Sequence, residues 1–360
     1  MAKFIECIKA YVYSTTYAGT ASGMGHSVYN VSENIDLAEL GAINAAMSVQ
    51  RTFPQLDSLD AERGVVMSGT ATVPDPSAVS FSYSPSAKEG APRVLVRSCM
   101  RASLADHVML RGTKELDHAV LVFDMNEEDY AVDYLSSPVF LRNNDIKGEF
   151  VAKPSGGDIM REEQPERLPA ITESEFVSRP ITASELGSDD ERMAAARILD
   201  AVLSVKREEG GRRAAYVVYA PEERERACRL MFAALKLLPP VLANDVSFVT
   251  CAGSLAAAGG TDLVGIPSVD DALVYGLGTR GEVVDLRAGA ESERKFATRY
   301  AKFVAEADGT VFDAWLMDRG RYFGNVTKFG SPDRLIAYFE HLYPKTSVSH
   351  PKEFSDELAE

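Results

Sequence analysis

The second half of this 360-residue chain alternates helix signals with strand signals, and that order restricts the folds open to it. A capping box at Ser188–Glu191 begins an apolar helical stripe that ends at Gly210–Gly211. A strand pattern over Ala214–Tyr219 follows, and Pro221 begins a second helix that ends at Pro239–Pro240. Helices that alternate with strands pack on the faces of a sheet. The order of elements in this half therefore predicts an α/β sandwich around a mixed sheet.

The remaining part of this half adds more elements of both kinds. Short strand-like runs predict four strands, at Val246–Thr250, Asp262–Ile266, Ala272–Tyr275 and Glu282–Leu286. Helical spacing predicts two helices, at Glu291–Ala307 and Asp333–Leu342. The run Gly276–Gly281 has Gly-x-Gly-x-x-Gly spacing, but a strand pattern follows it where a nucleotide site needs a helix. We therefore interpret these glycines as a β-hairpin loop.

The first half is rich in strand patterns, which loops containing Pro and Ser separate. The predicted strands are Phe4–Thr16, Gly64–Val73, Ala78–Tyr83, Arg93–Cys99 and Asp117–Asp124. One helix is predicted at Asp36–Val49. The fold class is thus a strand-rich α+β N-terminal domain followed by an α/β sandwich domain with a mixed sheet.

Length and charge predict how the chain divides. A chain of 360 residues exceeds what one hydrophobic core usually holds. Residues 151–192 carry 10 acidic against 5 basic side chains and four prolines, which is typical of a linker. We predict an N-terminal domain at 1–150, an acidic, Pro-containing linker at 151–187, an α/β domain at 188–345 and a frayed tail at 346–360.

The net charge of −15 makes nucleic acid a poor partner, because the chain would repel a phosphate backbone. Met1–Glu6 lacks the basic and apolar regions of a signal peptide, and the sequence has no apolar run long enough to cross a bilayer. We expect a cytoplasmic protein that does not enter a membrane. Its four cysteines are far apart in sequence, so we interpret them as thiols.

Motifs for catalysis or cofactor binding are missing from the sequence. It has no Walker-type phosphate loop, no His-Glu-x-x-His and no Gly-x-Ser-x-Gly, so we predict no cofactor and no metal. A nucleophilic site would need Cys99 or Cys7 beside His26 or His118, since a thiol requires a nearby base. The alternative is that the cysteines pack as small hydrophobes and His118 is a half-buried sheet residue.

A basic stretch near the end of the chain is a candidate anion or partner contact. Arg319 and Arg321 precede Phe323, and Lys328 follows, so cations stand beside an aromatic ring. The alternative interpretation is a solvated rim of the surface.

Two segments of the first half resemble the N-terminal domain of bacterial GTPase-associated proteins. In Tyr11–Thr16 followed by Gly23–Val28, a short strand leads to a Gly-x-Gly-His turn. Thr113–Val122 is similar to a later strand of that domain, which has a histidine before an apolar run.

Three segments of the second half resemble the middle domain of the same family. They are the strand Ala215–Tyr219, the helix end at Leu237–Pro239 and the Ser-Phe-x-Thr strand in Asp245–Thr250. The resemblance implies a non-catalytic adaptor or regulatory subunit of a bacterial conflict or defence system, whose partner is a GTPase or effector protein encoded nearby. The family offers no catalytic residues to transfer, which favours a non-enzymatic role. The alternatives are a hydrolase or transferase with a non-standard His/Cys site, and a small-ligand sensor.

Overall fold

The computed structural model describes fifteen ranges of the chain. They are residues 7–8, 10–15, 30–36, 79–85, 93–101, 115–123, 129–136, 166–168, 171–172, 181–207, 213–252, 260–268, 270–287, 295–323 and 331–346. Apart from Asp36, the predicted helix at Asp36–Val49 lies outside these ranges, and so does the predicted strand at Gly64–Val73. The predicted tail beyond Thr346 also lies outside them.

The described part of the first half, together with residues 166–172, forms strands of two to nine residues and one 3₁₀ helix. The strands are β1 (Cys7–Ile8), β2 (Ala10–Thr15), β3 (Asn30–Ser32), β4 (Val79–Ser84), β5 (Arg93–Arg101), β6 (Glu115–Phe123), β7 (Glu166–Leu168) and β8 (Ile171–Thr172). The 3₁₀ helix covers Ala131–Ser136 and lies between β6 and β7 in the chain.

The second half alternates helices and strands in the predicted order from residue 189 to residue 249. Its elements are α1 (Ala183–Leu186), α2 (Asp189–Arg207), β9 (Ala215–Tyr219), a 3₁₀ turn (Pro221–Glu223), α3 (Arg224–Leu237), α4 (Pro240–Ala243), β10 (Phe248–Val249), β11 (Leu263–Pro267), α5 (Asp271–Gly278), β12 (Glu282–Asp285), α6 (Arg299–Glu306), α7 (Gly309–Phe323) and α8 (Pro332–Thr346). The predicted start of α2 is confirmed, with the Glu191 amide donating to the Ser188 hydroxyl at 3.4 Å.

Eight of these strands form one mixed sheet in the order β12-β9-β11-β10-β4-β5-β6-β2. The four strands of the second half, β12, β9, β11 and β10, run parallel to one another. The four strands of the first half, β4, β5, β6 and β2, are antiparallel. The helices and this mixed sheet confirm the predicted α+β and α/β fold class.

The two halves of the sheet meet where β4 pairs antiparallel with β10. Side chains strengthen this junction, since the Thr250 hydroxyl accepts from the Phe81 amide at 2.9 Å and the Ser80 hydroxyl donates to the Cys251 carbonyl at 3.2 Å. The Phe81 carbonyl also accepts from the Thr250 amide at 2.8 Å. The strands of both halves therefore belong to one hydrogen-bonded sheet.

Helices cover the parallel strands on both faces. Helices α2 and α3 share one large core with the apolar side chains of α6, α7 and α8, and Trp315 of α7 is fully buried in this core. Helix α5 packs on the opposite face through Leu273 and Leu277, against Val218 and Val264. A parallel sheet needs such cover, because its strands are apolar on both faces.

Helix α5 corrects two predictions. The segment predicted as the strand Ala272–Tyr275 is helical, and Gly276 and Gly278 lie within the helix, so they do not form a hairpin loop. The Asp270 carboxylate caps the helix by accepting from the Ala272 amide at 2.9 Å. Four apolar residues in a row matched a strand pattern, and this capping signal before them was missed.

The C-terminal helices differ from the prediction in number and extent. The predicted helix at Glu291–Ala307 begins only at Arg299 within the described residues, where the Thr298 hydroxyl caps it. Helix α7 was not predicted, and α8 extends beyond Leu342 to Thr346.

The segment predicted as a linker contains short paired strands. Strand β7 runs parallel to β3, and β8 pairs antiparallel with β1. Ile181 and Leu186, near its end, are buried in the large core. The proposed domain boundaries themselves stay a prediction.

Candidate functional site

A groove of about 660 Å³ lies beside α3, between that helix, the 3₁₀ helix and strands β4 and β5. We call it the α3 groove. Its lining residues come from both halves of the chain: Phe81, Arg97, Val132, Asp133, Ile181, Glu185, Arg224, Glu225, Cys228, Arg229, Phe232, Ala233 and Lys236. Pockets of about 300–1,000 Å³ are typical of ligand sites, so the groove is large enough to hold a ligand or part of a partner.

One stripe of α3 supplies the long wall of the groove. Residues four apart in a helix lie on the same face, and four groove residues follow this spacing: Arg224, Cys228, Phe232 and Lys236. The neighbouring stripe, which includes Leu230 and Met231, is buried in the core. The helix therefore fixes a cation at each end of the wall and apolar groups between them.

The Lys236 end is closed by an ion pair. Its ammonium group lies 2.8 Å from the Asp133 carboxylate, and the two side chains are only 11% and 9% exposed. The Lys236 carbonyl accepts a hydrogen bond from the Arg319 guanidinium at 2.8 Å. A buried cation needs such a partner because of the cost of removing it from water, so Lys236 is already neutralised.

The Arg224 end differs from the Lys236 end, because no carboxylate of the described residues forms an ion pair with Arg224. Arg224 is the first residue of α3, and it is half-buried. Its Nε atom is buried without a hydrogen-bond partner in the part of the chain that the structure describes. Arginine presents five N–H donors in a planar fork, so this guanidinium retains the capacity to bind an acceptor.

The middle of the groove is apolar. The rings of Phe81 and Phe232 meet edge to face with centroids 6.0 Å apart, and Phe232 also contacts Phe248. Burial raises the pKa of the Cys228 thiol to about 11. Since a neutral thiol is a poor nucleophile, Cys228 serves here as an apolar surface.

The rim carries a second ion pair. The Arg229 guanidinium donates to both oxygens of the Glu191 carboxylate, and Arg226 also lies beside this carboxylate. The hydrogen bond from Arg229 is the main reason why the pKa of Glu191 is lowered. This ion pair thus joins α3 to α2, and the Arg229 guanidinium is occupied by a carboxylate of its own chain.

The nucleophilic candidates from the sequence lie in the first half. Cys99 pairs with Asp117 in the register of β5 and β6, and His118 pairs with Ser98, so the two candidates are one step out of register. Cys7 lies in β1, opposite Thr172. His26 lies outside the described residues. The His/Cys hypothesis stays a prediction.

The basic candidates lie at the end of α7 and after it. Arg319 is 3% exposed, donates to the Lys236 carbonyl and stands over the Phe323 ring with its central carbon 5.8 Å from the ring centroid. The Arg319 guanidinium is therefore occupied inside the chain, and the anion or partner contact stays a prediction. Arg321 lies in the same helix, and Lys328 is outside the described ranges.

Sequence reasoning missed the α3 groove, although it predicted α3 itself. The spacing of four that places Arg224, Cys228, Phe232 and Lys236 on one face is present in the sequence. The opposite wall gave no such signal, because Phe81 and Asp133 are distant from α3 in sequence and only the fold brings them there.

The described residues lack a metal-binding cluster and a membrane-spanning helix. They contain no group of three or more His, Cys, Asp or Glu side chains placed to hold a metal ion. Within the same ranges, no helix combines the length and the apolar character that a bilayer crossing requires.

Comparison with protein families identifies the region that forms the long wall of the groove. Residues 182–288 match the model of the GTPase-associated protein 1 middle domain. The predicted resemblance to the GTPase-associated proteins is thereby confirmed for this part of the chain, which contains α2, α3 and the four parallel strands. A search of curated proteins found no significant match.

Proposed function

We propose that this protein is a non-catalytic adaptor or regulatory subunit of a bacterial GTPase-associated conflict or defence system, and that it acts by binding other proteins. The observation that carries the proposal is the GTPase-associated protein 1 middle domain at residues 182–288. The partner is a GTPase or an effector protein encoded nearby, as the resemblance implies.

The α3 groove supports a binding role. It joins apolar side chains to a cation that has no counter-ion among the described residues, and such a mixture is typical of the surfaces that recognise partners. Its walls come from the matched domain and from strands β4 and β5, so the groove depends on both halves of the sheet.

The test is affinity purification of the tagged chain from its native cells, followed by mass spectrometry. It is done once with GDP and once with a non-hydrolysable GTP analogue. We expect a GTPase in stoichiometric amount, with a recovery that differs between the two nucleotides. An unrelated tagged acidic protein of similar size controls for capture by charge alone.

Recovery of the chain without any specific protein in both nucleotide states would contradict the adaptor role. In that case the groove favours the alternative of a small-ligand sensor, since its volume lies in the usual range for ligand sites. The His/Cys hydrolase or transferase would then be tested with Cys99→Ala and His118→Ala.

A further inference from the structure

We propose that the α3 groove binds an acidic peptide segment of the partner protein. Arg224 pairs with a carboxylate of that segment, and Phe81 and Phe232 contact an apolar side chain next to it. This inference rests on the proposed adaptor function and names the chemistry that its binding site recognises.

The charge argument depends on which cations of the groove already have partners. Lys236 is paired with Asp133, and Arg229 is paired with Glu191. No ion pair joins Arg224 to a carboxylate among the described residues, and its buried Nε lacks a hydrogen bond there. A carboxylate accepts two parallel bonds from a guanidinium, so it would satisfy the donors of Arg224.

The balance of charge in the groove favours a carboxylate over a phosphate. Lys236 and Arg229 are neutralised by Asp133 and Glu191, and the lining also carries the carboxylates of Glu185 and Glu225. A phosphate group carries about −1.5 to −2 at neutral pH, so these two carboxylates would repel it more strongly than they repel a single charge. A carboxylate carries a single charge, which matches the single charge of Arg224.

The apolar argument concerns the residue next to the carboxylate. Cys228 is one helical turn from Arg224, and Phe232 lies one turn further, so apolar surface begins directly beside the cation. Phe81, Val132 and Ile181 face the same space. A segment that alternates acidic and apolar side chains would therefore use the cation and the apolar surface together.

The experiment measures fluorescence polarisation of a fluorescein-labelled hexapeptide of alternating Asp and Leu, titrated with the full chain. A second peptide has Asn in place of Asp. We expect saturable binding of the acidic peptide, which weakens as salt is added, and much weaker binding of the amide peptide.

Arg224→Ala is the decisive variant, and Arg226→Ala is its matched control. Both remove one positive charge from α3, but Arg226 pairs with Glu191 and Glu223 and does not line the groove. We expect Arg224→Ala to raise the Kd about tenfold or more and Arg226→Ala to change it less than about twofold. Arg224→Lys should recover part of the affinity, and thermal melting checks that each variant folds.

Three outcomes would overturn the proposal: no saturable binding of the acidic peptide, equal binding of the amide peptide, or equal losses in the Arg224→Ala and Arg226→Ala variants. The proposal would also be overturned if inorganic phosphate displaced the labelled peptide as effectively as unlabelled acidic peptide does. That result would indicate that the groove is a phosphate site. If the Arg224→Ala chain still retains a GTPase in affinity purification, the adaptor role is supported. In that case only the proposal that the groove binds the partner is wrong.

Discussion

Four buried tyrosines each donate the hydroxyl proton to a backbone carbonyl. Tyr83 bonds Asn244 at 2.9 Å, and Tyr130 bonds Leu238 at 2.8 Å. The other two bonds are Tyr219 to Thr250 and Tyr300 to Leu237. Leu237 and Leu238 lie at the end of α3 and Asn244 at the end of α4, where helix carbonyls lack intrahelical partners. These bonds need neutral tyrosine, because a phenolate has no proton to donate.

Stability should therefore fall in alkaline solution. Burial is the main reason why the pKa of Tyr83 and that of Tyr300 are raised to about 12. Above about pH 10 the unfolded chain loses these protons and the folded chain keeps them, so the free energy of unfolding decreases as pH rises. At pH 11 the loss is about 1 kcal/mol for each tyrosine. Urea unfolding at pH 9 and at pH 11 measures it.

A pair of variants tests this assignment. Tyr83→Phe removes one hydrogen bond, which lowers stability at both pH values, and it should also remove one tyrosine's share of the alkaline loss. Tyr275 is 84% exposed, so Tyr275→Phe should leave the difference between the two pH values unchanged. The assignment to Tyr83 is contradicted if the Tyr83→Phe chain loses as much free energy of unfolding between pH 9 and pH 11 as the unmodified chain does.

At the scale of elements, the sequence predicted the helices with clear caps and apolar stripes. Helix α2 has a serine cap and an apolar stripe, and helix α3 has a stripe behind the proline turn at Pro221, so both were predicted with nearly correct ends. Helix α5 failed because its short apolar run satisfies the strand pattern as well as the helix pattern, which leaves only the Asp270 cap to decide. Helix α7 was not predicted, and its sequence contains Gly309 and Gly320, which lower helix propensity.

The groove could be predicted on one side only. The spacing of Arg224, Cys228, Phe232 and Lys236 is local information. The opposite wall follows from strand pairing between β4 and β10, which joins residues more than 160 positions apart. No periodicity within a short window contains that pairing, so Phe81 and Asp133 could not be assigned to the site.

Gly265 fixes how closely two neighbouring strand segments approach. A Cβ at this position of β11 would lie 2.1 Å from the Thr250 carbonyl oxygen, which is backbone and cannot rotate away. Gly265→Ala should therefore lower the free energy of unfolding by about 3 kcal/mol, within the range of severe single substitutions. Urea unfolding measures the change.

Gly276 provides the control for this prediction. It lies within α5, and a Cβ there would meet nothing within 4 Å. Gly276→Ala should raise stability by about 0.5–1 kcal/mol, because alanine favours the helix and restricts the unfolded chain. Similar effects from both substitutions would show that the strand contact at Gly265 is not tight.

For the molecule as a whole, the connection between the halves extends beyond the β4–β10 pair. Asn244 follows α4 and is 8% exposed. Its side-chain amide donates to the Asp129 carbonyl at 2.7 Å, and its side-chain oxygen accepts from the Ala131 amide at 3.0 Å. One residue of the matched domain thus binds the backbone that leads into the 3₁₀ helix of the other half.

We expect β4, the 3₁₀ helix and α3 to unfold in one cooperative transition. Asn244→Ala should lower the free energy of unfolding for this transition by about 2–3 kcal/mol, because two buried backbone groups lose their partners. Hydrogen exchange followed by mass spectrometry measures opening in each element, and β4 and α3 should lose protection together. The two halves are not coupled if, in the unmodified chain, the free energy of opening of the 3₁₀ helix is much lower than that of α3.

The sequence contains a single tryptophan, and its position gives the molecule a built-in optical probe. Trp315 is fully buried among the rings of Tyr300, Phe303, Tyr322 and Phe339. Its fluorescence therefore reports on the packing of α6, α7 and α8 without any label. Because the groove lining does not include it, a ligand in the groove should leave this emission unchanged unless the helical core itself rearranges.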